Sequence, residues 1–290
     1  MITEICMHAP AKINIGLHVL RGQKNGFHAI ESIFQSVTLC DELAVSVYEG
    51  KNACVVFCET MELPKNNTIV SSYRAFRDVT GKDLPSVRVR LAKQIPSGSG
   101  LGGGSSDAAV FIRALEVLSG ITLSDSELRK VAAAVGSDVF FFLFCGAEGC
   151  AVVTGRGEVV RPIHSRRDLY VLLVFPNVKS VTSEAYSLVD NFFDLGKTVI
   201  CPTLTDLESV YNSPVCCWNF ANSFTPSLVN RFPEIGSALN DMRSVHPLFM
   251  EMSGSGSTVY GIFSSEEEAE NARAELAQRW RDCVVRPFCV

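Results

Sequence analysis

Gln94-Ile95-Pro96-Ser97-Gly98-Ser99-Gly100-Leu101-Gly102-Gly103-Gly104-Ser105-Ser106-Asp107-Ala108-Ala109 decides the reading of this chain. Five of the seven positions from 98 to 104 are glycine, and Ser105, Ser106 and Asp107 follow at once, ahead of the apolar run Val110-Phe111-Ile112. Glycines leave backbone N–H groups unobstructed and let the chain curl closely around a ligand. Ser or Asp directly before an apolar run is an N-cap signature, so the loop is predicted to empty into a helix capped by one of these residues. The first N–H groups of a helix and the positive end of its dipole favour an anion. The chemistry indicated is the grip of a nucleotide polyphosphate.

Other glycine loops fit less well. A Walker loop requires Gly-x-x-x-x-Gly-Lys-Ser/Thr, and no lysine stands here. Gly98-x-Gly100-x-x-Gly103 satisfies the dinucleotide pattern, which belongs after a buried parallel strand and ahead of an acidic residue about 20 positions on. The preceding Val87-Arg88-Val89-Arg90-Leu91-Ala92-Lys93 instead alternates apolar and basic residues, as a half-exposed antiparallel strand does. A plain flexible linker would lack the punctuation by Leu101 and a capped helix.

At 290 residues, two domains sharing a cleft is the natural expectation. Apolar content of 47% and charged content of 20% are those of a soluble globular protein. A net charge of −5 speaks against a general nucleic-acid binder. The start Met1-Ile2-Thr3-Glu4 has no basic region followed by an apolar one, so no secretory signal is expected. The apolar block Val139–Cys145 is too short to span a bilayer. The expectation is a cytoplasmic protein without a membrane partner. The 11 cysteines are odd in number and irregularly spaced, and most lie in apolar runs, which predicts reduced, buried thiols and no metal site.

Along the chain, 5–9 and 13–20 alternate like strands, and 43–48 with 53–58 read as an antiparallel pair split by Glu49-Gly50. A helix is predicted over 69–79, ending before Gly81. Ser124-Asp125-Ser126-Glu127 is a capping box for a helix through Ala134. A continuous apolar strand at Leu169–Phe175 opens a second half, followed by helical segments at 182–189, 226–240 and 265–281 and a strand at 258–263. This order is α+β, with domains at 1–164 and 165–290.

Pro10-Ala11-Lys12-Ile13-Asn14 places Lys12 and Asn14 on one side of a strand, because side chains alternate with period two. Taken singly, Lys12 reads as a solvated edge residue, Phe27 of Asn25-Gly26-Phe27-His28 as core and His28 as surface. Asp138, in Gly136-Ser137-Asp138 before Val139-Phe140-Phe141, reads as a cap or turn residue, or as a base or metal ligand at the mouth of an apolar pocket.

Taken together, Pro10-Ala11-Lys12-x-Asn14, Gly26-Phe27-His28, the glycine loop, Gly136-x-Asp138 and Met252-Ser253-Gly254-Ser255-Gly256 resemble the GHMP small-molecule kinases, from Ala9 to about Phe263. Within them, the likeness is to the branch whose acceptor is a cytidine diphosphate derivative. The resemblance implies a two-domain α+β fold with the active site in the cleft between domains, ATP as co-substrate and Mg²⁺ arriving with it. It implies that Lys12 and Asp138 are the catalytic pair, and that Asn14, Phe27 and His28 bind the substrate, His28 by a hydrogen bond to the cytosine. Pro96, Gly98, Gly100, Leu101, Gly102, Gly103, Gly104, Ser105 and Ser106 then hold ATP, and the 252–256 motif lines the nucleotide side. The chain departs from the family pattern at Phe27 for Tyr, Asp107 for Asn, Ser137 for Ala, Phe140 for Pro, and at Asn222-Ser223-Phe224 for Asn-Asp.

Three rival readings share some of these features. Another GHMP kinase acting on homoserine, mevalonate or a sugar shares the loop but not Gly26-Phe27-His28. A catalytically silent nucleotide-binding module has no use for Lys12 together with Asp138. A Rossmann dehydrogenase conflicts with the charged strand before the loop. The partners expected are thus ATP and a small molecule; nothing in the sequence fixes an oligomeric state.

Overall fold

Long strands dominate the beginning of the chain. The segments read as separate strands at 5–9 and 13–20 form one strand, β1 (Glu4–Val19), and it pairs with β2 (Ile30–Lys51). The computed structural model describes residues 3–22, 27–145 and 149–287. They divide into two compact units, neither continuous in sequence: Met1–Ala11, Leu39–Ile95 and Gly102–Gly146 form the first, and Lys12–Thr38, Pro96–Leu101 and Ala147–Val290 the second.

In the first unit, the end of β2 meets β4 (Pro85–Ala92) antiparallel, pairing Leu43 with Leu91 and Val45 with Val89. On β4, Val87, Val89 and Leu91 are buried while Arg88 and Arg90 are exposed, as the alternation predicted. β3 (Cys54–Cys58) pairs with β4, in parallel, so the expected antiparallel pair of 43–48 with 53–58 is not formed; β4 lies between them. The connection from β3 to β4 is a crossover through α1 (Thr68–Thr80), which permits parallel pairing. Helix α1 starts at Asn67, whose side chain accepts from the Val70 N–H, and stops at Gly81 in the left-handed region. It packs against α2 (Gly103–Ser119) and α3 (Asp125–Val135), and α2 packs on α4 (Ser137–Phe144). The capping box of Ser124 and Glu127 is present. Phe76, Phe111, Ile112, Leu115 and Phe141 form the apolar interior.

In the second unit, the start of β2 pairs with β5 (Cys150–Thr154), and β5 with β6 (Val159–Pro162). An antiparallel sheet in the order β10–β7–β9–β8 is built from β7 (Tyr170–Phe175), β8 (Phe249–Met252), β9 (Val259–Phe263) and β10 (Arg281–Val285). Between β7 and β8 run α5 (Thr182–Asp194), α6 (Leu207–Asn212), α7 (Thr225–Arg231) and α8 (Pro233–Ser244). The helix expected over 226–240 is thus two, broken at Phe232, because residues ahead of a proline avoid the helical region. Helix α9 (Glu266–Leu276) packs on β7, β9 and β10, and α8 packs on β8 and β9. Leu172, Leu173, Val259, Tyr260 and Ile262 are fully buried there.

Among the described residues no helix is long and apolar enough to cross a membrane. The cysteines correct another expectation: among the described residues only Cys145 and Cys150 are buried, while Cys6, Cys216 and Cys217 are exposed.

Candidate active site

Lys12 is buried at 3% exposure, which removes the edge-residue reading. A buried ammonium needs partners. Its Nζ donates to Asn14 Oδ1 at 2.6 Å and to the Gly100 carbonyl at 3.0 Å, and stands 4.7 Å from the centroid of the Phe34 ring. The Lys12 N–H also donates to the Leu101 carbonyl at 2.9 Å. Asn14 is fixed in turn: its Nδ2 donates to Ser32 Oγ at 3.1 Å and its N–H to Ser253 Oγ at 3.2 Å, and its carbonyl accepts from Tyr260 OH at 2.9 Å. Strand alternation thus puts Lys12 and Asn14 side by side, as the sequence indicated.

The same unit assembles the loop segment 96–101 against the segment 252–258. Ser253 Oγ donates to the Gly100 carbonyl at 3.1 Å, the Thr258 N–H to the Ser99 carbonyl at 3.0 Å, and Ser99 Oγ back to the Pro96 carbonyl at 2.6 Å. Gly100 has φ +80°, and a Cβ there would lie 2.1 Å from the Ser253 carbonyl oxygen, so only glycine fits. Asn222 Nδ2 ties this second segment down, donating to the carbonyls of Met252 at 2.7 Å and Gly254 at 2.8 Å. Glu251 accepts from Asn222 N–H, Thr225 Oγ1 and Met252 N–H; burial holds its carboxyl above the usual range.

The remaining loop residues belong to the first unit. Helix α2 begins one residue after Gly102, which has φ +71° and is itself the N-cap, without a side-chain bond. The expected Ser or Asp cap is therefore corrected. The left-handed glycine starts the helix early, and Ser105, Ser106 and Asp107 lie in its opening turns. Gly103 and Gly104 supply the first helical N–H groups, which have no acceptor within the helix and can take an anion. Ser106 Oγ is buried without a hydrogen-bond partner. Asp138 is half-buried in the first turn of α4.

The residues around His28 form a third cluster, in the second unit. His28 Nε2 lies 2.6 Å from Asp190 Oδ1, and its ring stacks on Tyr186 at 4.9 Å with 23° between planes. Tyr186 meets Phe224 edge-on at 5.0 Å. A carboxylate opposite Nε2 accepts a hydrogen bond from Nε2–H, the tautomer in which Nδ1 is an acceptor. Phe27 is 53% exposed, with the Arg156 guanidinium 4.5 Å from its ring centroid. Its isolated reading as core is overturned by that exposure. Asn25 and Gly26 lie outside the described residues.

Tyr186 and Asp190 were not singled out by sequence reasoning, whereas Ser253 entered it within the 252–256 motif and Asn222 as part of a departure from the family pattern. Tyr186 and Asp190 sit one turn apart on α5, so a helical-wheel reading gives their common face, but nothing local ties that face to His28.

Comparison with known proteins now fits this geometry. Residues 67–146 match the GHMP kinases N terminal domain, and residues 215–282 match the GHMP kinases C terminal domain. The chain is 38% identical to a 4-diphosphocytidyl-2-C-methyl-D-erythritol kinase of Treponema pallidum, over 99% of each chain. It is 30% identical to the enzyme of the same name from Chlorobium phaeobacteroides, over 98% of each. A solved structure of 4-(cytidine 5'-diphospho)-2C-methyl-D-erythritol kinase superposes with a TM-score of 0.80 at 27% identity, covering 99% of this chain and 100% of the other. The α+β chain with its N- and C-terminal kinase domains belongs to the GHMP kinase family, in the group of the 4-diphosphocytidyl-2-C-methyl-D-erythritol kinases.

Proposed function

We propose that this chain transfers the γ-phosphoryl group of ATP to the 2-hydroxyl of 4-diphosphocytidyl-2-C-methyl-D-erythritol, in the non-mevalonate route to isoprenoid precursors, and that it works in the cytoplasm. The observation that carries the reading is the buried Lys12 ammonium, fixed between Asn14 Oδ1 and the carbonyl of Gly100 in the glycine loop. In sequence the activity divides between an N-terminal part, 1–164, with the loop, and a C-terminal part, 165–290.

Phosphoryl transfer needs alignment and charge neutralisation more than covalent help. The N–H groups of Gly103 and Gly104 take the phosphates, and Pro96, Gly98, Leu101 and Gly102 shape the loop around them. Mg²⁺ comes in as part of the Mg·ATP substrate, where it neutralises phosphate charge. The partnerless Ser106 hydroxyl, with Ser105 beside it, fits an oxygen ligand for that ion or for a phosphate. Asp138 accepts the proton of the 2-hydroxyl as its oxygen takes the phosphoryl group and ADP leaves, while Lys12 steadies the developing negative charge. Phe27 stacks on the cytosine. With Nε2 held by Asp190, His28 Nδ1 accepts from the exocyclic amine of cytosine, where uracil presents only an oxygen.

The deciding experiment is Mg²⁺-dependent ADP release by the purified protein with the cytidine compound, mevalonate, homoserine and galactose side by side. Turnover confined to the cytidine compound is the result expected. ATP binding without turnover on any acceptor would identify a silent module, and turnover on another acceptor would remove the roles given to Phe27 and His28.

A further inference from the structure

Beneath the start of α2 lies a buried ionic cluster that the transfer chemistry does not use. Lys93, just past the end of β4, donates from Nζ to Asp107 Oδ2 at 2.9 Å and to Asp41 Oδ2 on β2. The other oxygen of Asp41 accepts from the N–H groups of Gln94 at 2.6 Å and Ile95 at 2.9 Å. All three ionisable side chains are withdrawn from water, Asp41 completely and Asp107 to 4%. A Cβ on Gly103 would meet Lys93 Nζ at 3.2 Å and Ile95 Cγ2 at 2.9 Å, so the helix start rests directly on this cluster. From the other side Thr68 Oγ1 donates to the Gly104 carbonyl at 2.7 Å.

Two features set the cluster apart from an ordinary structural ion pair. It carries two carboxyls for one ammonium, and Asp107 Oδ1 is buried without any hydrogen-bond partner. Desolvating such a group is unfavourable, and apolar residues of the same volume commonly stabilise a fold as well or better. Burial accordingly pushes the Asp107 carboxyl up to about 7, against the pull of Lys93 and with the repulsion of Asp41 adding to it, while the two carboxyls hold Lys93 above its ordinary value. What the arrangement provides is geometry. One ammonium joins a side chain in the opening turns of α2 to a carboxyl that also holds the two backbone N–H groups leading into the glycine loop. The segments on both sides of the loop, 93–95 and 103–107, are thereby fixed to the same atoms.

We infer that Asp107 is a positioning residue for nucleotide binding: through Lys93 and Asp41 it sets the first helical N–H groups of α2 against the strand end that leads into the loop. The inference rests on the reading that this loop holds ATP.

The test is calorimetric titration of the full-length protein with the non-hydrolysable analogue AMP-PNP and Mg²⁺, for wild type, Asp107→Ala and Asp107→Asn. Alanine leaves the Lys93–Asp41 pair neutral but severs the link to α2, and is expected to weaken the analogue about tenfold or more. Asparagine keeps the shape and an acceptor for Lys93, and is expected to recover most of that loss. The KM for ATP should rise in the alanine variant while the KM for the cytidine acceptor stays within about twofold. If alanine prevents folding, Asp107→Ser, polar but too short to reach Lys93, makes the same comparison. An alanine or serine variant that melts earlier yet binds AMP-PNP like wild type would show a merely structural role and overturn the inference alone. Wild type that does not bind AMP-PNP would overturn the ATP reading and this inference together.

Discussion

At the scale of single residues, Asp138 and Asp107 make an instructive pair: two acids, each in the opening turns of its own helix, α4 and α2, with opposite demands on charge. Asp138 must be ionised to accept a proton, so Asp138→Asn is expected to lower kcat by about 10²–10⁴-fold while AMP-PNP affinity is kept; turnover near wild type would remove it from the catalytic role. Asp107 is held up to about 7 in the folded chain against an ordinary 3.8. Between those values the folded chain retains a proton that the unfolded chain has released, so stability falls as pH rises through this window, and the loss is complete above about 7. Asp107→Asn abolishes it. The melting temperature of that variant relative to wild type should therefore climb between about pH 4 and about pH 7, and a difference independent of pH would refute the assignment. Lys12 and Asn14 were legible beforehand because period-two alternation is local. Asp190, Tyr186 and Asp41 were not, because their partners are 162, 158 and 52 residues away in the chain.

At the scale of elements, the glycine loop was legible as a phosphate grip but not in its detail. A left-handed Gly102 starts the helix ahead of the serines; glycine is itself an accepted N-cap, but Ser and Asp rank above it, so cap preference alone pointed to the later residues. Gly100→Ala offers a clean test of the loop. The substitution forces a Cβ to within 2.1 Å of the Ser253 carbonyl at a φ of +80°, so the 96–101 and 252–258 segments must separate. The expected outcome is a KM for ATP raised by about tenfold or more with the far-ultraviolet circular dichroism retained; unchanged ATP kinetics would show that this contact does not shape the site. Helices α1 and α3 followed their caps, which are written in adjacent residues. The pairing of β3 failed because sequence neighbours were assumed to be sheet neighbours, whereas β4, a crossover away, takes the place between them.

At the scale of the whole molecule, two domains were legible from length and element order, but not their interleaving. Lys12–Thr38 and Pro96–Leu101 belong with the residues after 147. A fragment of residues 1–164 consequently lacks Ser253, Thr258 and Tyr260, the partners that fix Asn14, Ser99 and Gly100. Such a fragment is expected to be cut rapidly by protease within 12–38 and to bind no AMP-PNP, and a protease-resistant fragment that binds the analogue would contradict this. The same interleaving bears on synthesis. Asn14 is made 239 residues before Ser253, and at about 5–20 residues per second the ribosome needs roughly 10–50 s to cover that interval. Through that time the apolar side chains of Ile13, Ile15, Leu17 and Val19, all interior in the finished protein, have no completed unit to enter. Closure of the second unit thus waits on translation itself, and the nascent chain carries a sticky strand that holdase chaperones are suited to shield until Ser253 and its neighbours have been made.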